Sequence, residues 1–177
     1  MSRGAKLAAV ALAATASAGL GACELRSNAT PATAPASLEE NATLVSVIDG
    51  DTVDVAVHGH HERVRMIGID TPETKKPNTP VQCFGPEATT YTRSLLPAGT
   101  ALHLERDVQA RDDYGRLLAY VYRLPDGLFV NLEIIASGYA RPLTIPPNVV
   151  HATEFVDAAQ GARDGDIGLW HGCAAPG

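Results

Sequence analysis

The feature that most constrains the fold is a succession of three strand-like runs separated by short breaks that contain glycine. Breaks of this kind are typical of β-hairpins. In the middle run valines alternate with other residues, as in a strand with one buried face. The sequence therefore predicts a three-stranded antiparallel meander. Its strands span residues 43–48, 52–57 and 62–69, and its turns lie at Asp49-Gly50 and His58-Gly59-His60.

Helical and strand patterns follow the meander. A helix opens at Pro86 and is ended by Pro97, and Asn131 is placed to cap a second helix that ends at Gly138. Apolar residues at helical spacing indicate a third helix. This order predicts an α+β fold that is mainly β, with five strands in a small barrel and three helices packed on it. The other predicted elements are strands at 101–105 and 116–122 and the third helix at 148–163.

Residues 1–22 have the layout of a secretory signal. Arg3 and Lys6 precede an uncharged run of Ala, Leu and Val that is too short to span a bilayer, and small residues follow. The tetrad Leu-Gly-Ala-Cys at 20–23 resembles a bacterial lipobox, in which the cysteine is lipidated and becomes the N-terminus. We therefore expect an exported protein, anchored by Cys23 to the outer face of the cell membrane or released from the cell. The alternative is an ordinary cleavage site followed by a chance cysteine.

The mature chain divides into a linker, a domain and a short tail. Residues 23–42 are interpreted as the lipidated cysteine and a disordered linker, because their Ala, Thr, Ser, Asn and Pro show no apolar period. The domain is expected at 43–173 and the tail at 174–177. Removing residues 1–22 takes away two basic residues and no acidic ones, so the formal charge changes from −6 to −8. A nucleic-acid-binding function would thus depend on local charge, since such proteins are usually basic.

Two carboxylates flank the glycine of the first turn. Asp49 and Asp51 are two residues apart, so on extended backbone both side chains leave by the same face. Neighbouring like charges resist ionisation unless a cation or solvent relieves them. A helix–loop–helix calcium loop is excluded, because it would require glycine at Asp54 and glutamate at His60. On this pair alone, a solvated turn and a cation site stay equally open.

The third strand-like run contains an arginine and ends in acids. Arg65 lies within apolar residues, and Asp70 and Glu73 follow them. These carboxylates are hard oxygen ligands of the kind that Ca²⁺ binds, and a proline after Thr71 would direct the carbonyl of that residue. Arg65 and Asp70 would face opposite sides of a regular strand. Their convergence requires a bend, for which Gly68 is the expected place.

Charged residues also cluster at 111–116, Arg-Asp-Asp-Tyr-Gly-Arg. A hairpin tip is the plain interpretation of this segment alone. Arginines, carboxylates and a divalent cation in one site instead indicate phosphoryl chemistry, because guanidinium groups bind phosphate and stabilise the charge that grows on its oxygens. The group of His58, His60 and His61 could chelate a metal, but a polar turn beside a glycine is the favoured interpretation.

Five motifs occur in order along the chain: IDGDT at 48–52, RMIGIDTPET at 65–74, GPEA at 85–88, DYGRLLAY at 113–120 and VN at 130–131. Together they resemble the staphylococcal nuclease (thermonuclease) family, in which they occur in the same order, over residues 43–171 of this chain. The ordered set is far more specific than any one of the motifs. The resemblance implies a five-stranded OB-type barrel with three helices, and a Ca²⁺-dependent phosphodiesterase that acts on DNA and RNA and leaves 5′-hydroxyl and 3′-phosphate ends.

The resemblance assigns the metal site by position. Asp51 and Asp70 are implied as carboxylate ligands of Ca²⁺, and Thr71 as a carbonyl ligand. Asp49 is implied as an acid near the metal that does not bind it directly. The implied partners are DNA and RNA substrates, besides the membrane contact through Cys23, and the chain is expected to be a monomer.

The resemblance also assigns the catalytic residues. Glu73 would orient or deprotonate the attacking water, and Arg65 and Arg116 would grip the scissile phosphate. Tyr114 would line the nucleotide pocket. Cys83 and Cys173 look like the disulfide pair of secreted bacterial members, and lipidation of Cys23 would leave these two to pair with each other. Two unpaired thiols are the alternative.

The chain departs from the family pattern near the substrate. Asp113 stands where the best-known members have lysine, Thr79 falls in a loop that is often basic, and a pocket tyrosine is missing near Leu143. These departures predict a weaker grip on nucleic acid away from the scissile phosphate. Two other functions stay open at this point. One is a non-catalytic module of the same fold that binds nucleic acid or peptides, and the other is a surface lipoprotein whose barrel is a scaffold or adhesin.

Overall fold

The computed structural model describes residues 38–74 and 80–173. The predicted export signal, Cys23, most of the predicted linker, Thr79 and the predicted tail lie outside these residues. Within the described residues, the strands are β1 (Ala42–Asp49), β2 (Thr52–Val57), β3 (His60–Met66), β4 (Gly68–Asp70), β5 (Ala101–Glu105), β6 (Leu117–Arg123), β7 (Leu128–Phe129) and β8 (Arg141–Leu143). The helices are α1 (Gly85–Leu95), α2 (Val130–Ala136), α3 (Ala152–Asp164) and α4 (Leu169–Gly172).

Five of the strands close into a barrel. The sheet order is β3-β2-β1-β5-β6, and a parallel pairing of β3 with β6 closes it, while β7 extends β6 as an added strand. Valines that alternate along β2, together with side chains of β3 and β6, fill the interior, where Val53, Val55 and Val64 are fully buried. The predicted barrel is confirmed, with helices packed on it.

Both predicted hairpins of the meander are present. β1 pairs with β2 and β2 with β3, both antiparallel. The second turn places His58 at φ 49° and Gly59 at φ 81°, which is the positive-φ pair that a two-residue hairpin loop requires. The histidines around this turn are exposed. The turn interpretation of this segment is therefore the one that the structure supports.

The third predicted strand is two strands, so the single run at 62–69 was wrong. β3 ends at Met66 and β4 begins at Gly68, whose φ of 81° turns the chain. A Cβ on Gly68 would lie 2.1 Å from the ring of Phe155, so a side chain does not fit there. β4 leaves the barrel and pairs with β8. The expected bend at Gly68 is confirmed.

Two asparagines at predicted helix starts do other work. Asn131 lies inside α2, fully buried, and does not cap it. Its Oδ1 accepts the N–H of Val121 at 2.9 Å, and its Nδ2 donates to the carbonyl of Ile67 at 2.9 Å. Asn148 precedes α3 by four positions and binds both backbone groups of Gln109. Each amide thus ties two distant segments of backbone together.

The boundaries of the other predicted elements differ by small amounts. A fourth helix, the single turn α4, follows the three predicted ones. At the other end the ordered sheet begins at Ala42, and the Asn41 side chain exchanges two hydrogen bonds with the backbone of Leu104. Asn41 and Ala42, which were predicted to belong to the linker, are therefore part of the barrel domain. No helix in the described part of the chain is both long and apolar enough to cross a membrane.

Candidate active site

One cleft at the barrel surface contains all eight residues assigned to the active site. Its volume is about 640 Å³. The strand ends and turns that form it are far apart in sequence, and the barrel brings them together. Its lining includes Asp49, Asp51, Arg65, Asp70, Thr71, Glu73, Tyr114 and Arg116. The structure thus assembles the predicted site, while the role of each residue stays a prediction.

Asp51 is the buried centre of an acidic wall, which we define as Asp49, Asp51 and Asp70. The backbone N–H and the hydroxyl of Thr71 both donate to Asp51 Oδ2, at 2.9 and 3.0 Å. The hydroxyl of Thr52 donates to Asp51 Oδ1 at 3.1 Å. These bonds fix the carboxylate before any ligand arrives, which is the preorganisation that a charged site needs.

A buried threonine of α1 holds the turn that carries these acids. Thr92 is fully buried and its hydroxyl donates to the carbonyl of Gly50 at 2.7 Å. Gly50 itself packs so closely that a Cβ there would lie 2.7 Å from the Thr71 side chain. Helix α1 and the residue that follows β4 therefore hold the turn from two sides. Thr92 was not predicted from the sequence, because a helical pattern does not show which threonine will donate a hydrogen bond to a distant turn.

Arg65 joins two members of the acidic wall, Asp51 and Asp70. Its Nη1 donates to the carbonyls of Met66 and Ile69 at 2.7 and 2.8 Å. Its Nη2 lies 3.2 Å from Asp51 Oδ2 and 3.2 Å from Asp70 Oδ1. The bend at the end of β3 brings the guanidinium to the acids, so the convergence that a regular strand forbids does occur.

Burial and neighbouring charge raise the cost of ionising two of these acids, Asp49 and Asp70. Burial, and then the charge of Asp51, raises the pKa of Asp49 to about 6. Burial also raises the pKa of Asp70, although the nearby Arg65 opposes this effect. A site that disfavours its own negative charges gains from a bound cation.

The donor set of the cleft fits a hard cation. In residues 38–74 and 80–173, no group of three or more His, Cys, Asp or Glu side chains is gathered closely enough to hold a metal by itself. Asp51 and Asp70 nevertheless turn oxygens toward one positive group, the Arg65 guanidinium, and all donors nearby are oxygens. Such a cation would use these carboxylates, the Thr71 carbonyl and water, a set that suits Ca²⁺ better than a softer metal.

Glu73 follows the acidic wall and is held through its backbone. Its N–H donates to the side-chain oxygen of Gln82 at 2.9 Å, and its carbonyl accepts the N–H of Gln82 at 2.9 Å. The N–H of Thr74 donates to Glu73 Oε1 at 2.8 Å. Gln82 also lines the cleft. The sequence analysis missed Gln82, which lies in no motif.

Arg116 comes from a different part of the fold, the arginine loop, which we define as residues 111–116. Its Nε donates to Asp112 Oδ2 at 2.6 Å, and its guanidinium lies 5.5 Å from the centre of the Tyr114 ring. Within the described part of the chain, the terminal nitrogens of Arg116 have no hydrogen-bond partner. The Tyr114 side chain is 86% exposed. This arginine therefore offers open donors beside an accessible aromatic face.

A second arginine supports this loop from outside the cleft. Arg111 makes a bidentate ion pair with Glu62 of β3, at 2.8 and 3.0 Å, and donates to the carbonyl of Gly115 at 2.7 Å. It thereby ties the residue before Arg116 to the barrel. Sequence reasoning singled out the charged segment, but the partner on β3 could not be seen without the fold.

The two cysteines assigned to a disulfide are bonded to each other. Cys83 and Cys173 lie 90 positions apart, with their Cα atoms 6.0 Å apart. Of the departures from the family pattern, Asp113 is exposed and Leu143 is 37% exposed beside the cleft.

Comparison with known proteins gives one consistent result. A family model described as "Staphylococcal nuclease homologue" matches residues 63–172. The chain is 43% identical over 124 residues to the thermonuclease of Staphylococcus intermedius, covering 70% of this chain and 72% of that protein. It is 40% identical over 132 residues to the thermonuclease of Staphylococcus hyicus, covering 75% and 76% respectively.

The chain belongs to the staphylococcal nuclease family. A further relative is Endonuclease YncB of Bacillus subtilis (strain 168), 41% identical over 132 residues that cover 73% of this chain and 61% of that protein. The family membership predicted from five motifs is confirmed. The closed five-stranded barrel with packed helices is the staphylococcal nuclease fold that this membership predicts.

Proposed function

We propose that the protein hydrolyses phosphodiester bonds of DNA and RNA with Ca²⁺ as its cofactor, and leaves 5′-hydroxyl and 3′-phosphate ends. The coarser part of this statement is established by the family: the chain is a nuclease, that is, a phosphodiester hydrolase. The observation that supports the finer part is the single cleft in which three acids, Glu73 and two arginines meet.

The residues of the cleft divide into three tasks. Asp51, Asp70 and the Thr71 carbonyl would hold the cation, which supplies charge neutralisation for the phosphate and polarises a water. Glu73, fixed by backbone bonds on both sides, accepts a proton from the attacking water or orients it. With these roles, a proton acceptor would act beside an all-oxygen cation site, an arrangement that would assist in-line displacement at phosphorus by water.

The arginines act on the phosphate. Arg116 has its terminal nitrogens available, so its guanidinium can bind two phosphate oxygens and offset the negative charge that grows during displacement. Arg65 lines the same cleft, where its Nη2 is paired with Asp51 and Asp70, and its positive charge would act on the same phosphate. The exposed ring of Tyr114 is placed to stack on a nucleotide.

A plasmid-nicking assay tests the proposal. We expect cutting with Ca²⁺ that stops when a chelator is added, on DNA and on an RNA transcript alike. Enzymatic end-labelling should then find a free 5′-hydroxyl and a blocked 3′ end. Retention of plasmid without cutting would instead favour the non-catalytic module, and loss of both activities would favour the scaffold. Cutting that survives the chelator would refute the cation requirement.

Two substitutions test the assigned catalytic roles. Glu73→Gln and Arg116→Ala should each lower kcat/KM by about 10²-fold or more, because each removes a group that acts on the reacting atoms. Glu87→Gln and Arg93→Ala, both at exposed positions of α1, are the matched controls. Both catalytic side chains are only partly buried, so melting temperatures should change little. Near-normal cutting by both active-site variants would refute the roles.

We also propose that the mature enzyme is a monomer and works outside the cell, attached through a lipid on Cys23 or released. The support for export and lipidation is the layout of residues 1–23, with two basic residues, an apolar run and a terminal Leu-Gly-Ala-Cys. Detergent phase partition of the expressed full chain tests this proposal. Wild type should enter the detergent phase and Cys23→Ser should stay in the aqueous phase, whereas equal partition would contradict lipidation.

A further inference from the structure

The Glu73 peptide is held from both sides by one residue. The chain returns nine positions after Glu73, and there Gln82 donates its N–H to the Glu73 carbonyl and accepts the Glu73 N–H on its side-chain oxygen, each at 2.9 Å. The two hydrogen bonds together join both backbone polar groups of Glu73 to Gln82. They restrain the backbone torsions that set the direction of the Glu73 side chain.

The turn that follows Gln82 forms the floor beneath this peptide. The N–H of Gly85 donates to the Gln82 carbonyl at 3.1 Å. A Cβ on Gly85 would lie 2.7 Å from Thr74 Cγ2, 3.0 Å from the Pro72 carbonyl and 3.1 Å from the Glu73 carbonyl. The start of α1 therefore packs directly on the segment that carries Glu73, without room for a side chain between them.

The same turn is anchored covalently to the end of the domain. Cys83, next to Gln82, is bonded to Cys173, which follows α4. Phe84 adds an aromatic contact with Tyr139, with ring centroids 5.3 Å apart. A displacement of the turn would thus have to move α4 or break these contacts.

We propose that Gln82 is a positioning residue for Glu73, and that the Cys83–Cys173 disulfide sets the catalytic geometry by anchoring Gln82. This inference rests on the proposed role of Glu73. The disulfide then has two effects. It stabilises the fold, and it also keeps the proton acceptor Glu73 in place, because Cys83 is next to Gln82 and Gln82 binds the Glu73 backbone. An error of about 1 Å in such a group can lower turnover about 10²-fold.

Steady-state cleavage of a short oligonucleotide with Ca²⁺ tests the role of Gln82. Gln82→Met, which keeps the length and removes the acceptor, should lower kcat about 10-fold and leave KM within about 2-fold. Gln82→Glu keeps an acceptor oxygen and should recover most of the loss. Gln160→Met is the matched control, since Gln160 lies exposed on α3 with one side-chain bond to Asp164.

The same substitutions in a Glu73→Gln background separate positioning from other effects. If Gln82 acts through Glu73, Gln82→Met should cause no further loss there. Equal losses in both backgrounds, or no loss in either, would overturn the inference while leaving the proposed function intact. Wild-type cutting by Glu73→Gln alone would overturn the proposed function and this inference with it.

The double variant Cys83→Ser/Cys173→Ser tests the anchor. Assayed well below its own melting temperature, it should show reduced kcat with KM nearly unchanged, and the reduction should vanish in the Glu73→Gln background. A folded variant with normal kcat would overturn the part assigned to the disulfide. If the variant does not fold, the Gln82 series decides, because those proteins keep the disulfide.

Discussion

The acidic wall and the arginine loop line the same cleft but are held in different ways. Asp51 is 6% exposed and receives hydrogen bonds from three donors on neighbouring elements, and the turn beside it is clamped by fully buried Thr92. The arginine loop is mostly exposed and is held by ion pairs of Arg111 and Arg116. Asp51 and the turn beside it are thus built into the core, although Asp70 of the same wall is exposed, and the arginine loop is attached to the surface.

The difference follows from the ligands that each half is expected to hold. A bound cation gains from oxygens that are held in place before it arrives, as the hydrogen bonds to buried Asp51 hold its carboxylate. A polymeric substrate must enter and leave, so its donors have to remain reachable from solvent. Changes around buried Asp51 should therefore lower stability and activity together, whereas changes in the arginine loop should lower activity with a smaller loss of stability.

Gly50→Ala should have the largest effect. The new Cβ would lie 2.7 Å from the side chain of Thr71, which cannot rotate aside without losing the hydrogen bond from its hydroxyl to Asp51. Overpacking of this kind costs about 1–3 kcal/mol, and we expect the upper end together with loss of cutting. Chemical denaturation and the nicking assay measure the two effects.

Gly115→Ala is the matching change in the arginine loop. Gly115 has φ 81° with no atom within 4 Å of the added Cβ, so backbone strain of about 1 kcal/mol is the expected cost. A smaller loss of stability for Gly50→Ala than for Gly115→Ala would contradict the contrast between the two halves.

Thr92→Val should have the next largest effect. It removes a fully buried hydroxyl that satisfies the Gly50 carbonyl, and an unsatisfied buried polar group costs about 1–3 kcal/mol. Thr90→Val is the control, because Thr90 lies two residues before Thr92 and is exposed. It removes a hydroxyl that donates to the Pro86 carbonyl and should change stability by less than about 0.5 kcal/mol. Equal effects from the two substitutions would show that Thr92 does not clamp the turn.

Arg111→Lys should affect activity and not stability. Lysine keeps the charge but cannot bridge Glu62 and the Gly115 carbonyl as the guanidinium does. The arginine loop should then be held less firmly against the barrel, and kcat/KM should fall about 3–10-fold. Arg123→Lys is the control, because Arg123 likewise joins a carboxylate, Asp126, to a backbone carbonyl, that of Leu95, and lies outside the cleft. Similar losses from both variants would refute a specific role for Arg111.

The barrel was predictable because its signals are local. Alternating valines, two glycine-containing turns and the Pro86 helix start each appear within a few residues, and they gave β1, β2 and α1 nearly to the residue. The misplaced starts of the second and third helices have a common cause. Asn131 and Asn148 have the chemistry of helix caps, and only the tertiary fold offers them better partners in distant backbone.

The candidate site divides along the same line. The charged residues of the motifs could be named from the sequence, and the bend at Gly68 could be inferred from the need to bring Arg65 to Asp70. Thr92 and Gln82 could not be found, because each acts on a residue to which it is joined only by the fold. Sequence reasoning thus reached the groups that do chemistry and missed those that hold them.

The smallest predicted effect concerns the charge around the arginine loop. Asp113→Lys adds a cation beside exposed Tyr114, where nucleic acid is expected to lie. The affinity that one added phosphate contact contributes falls about 3–4-fold between 50 and 200 mM salt. Relative to wild type, KM should therefore be about 3-fold lower at low salt, and this difference should disappear at high salt. Asp157→Lys makes the same change of net charge on α3 and should leave KM unchanged. If both variants lowered KM equally, the field of the whole protein would govern binding, and local placement in the exposed half of the site would not.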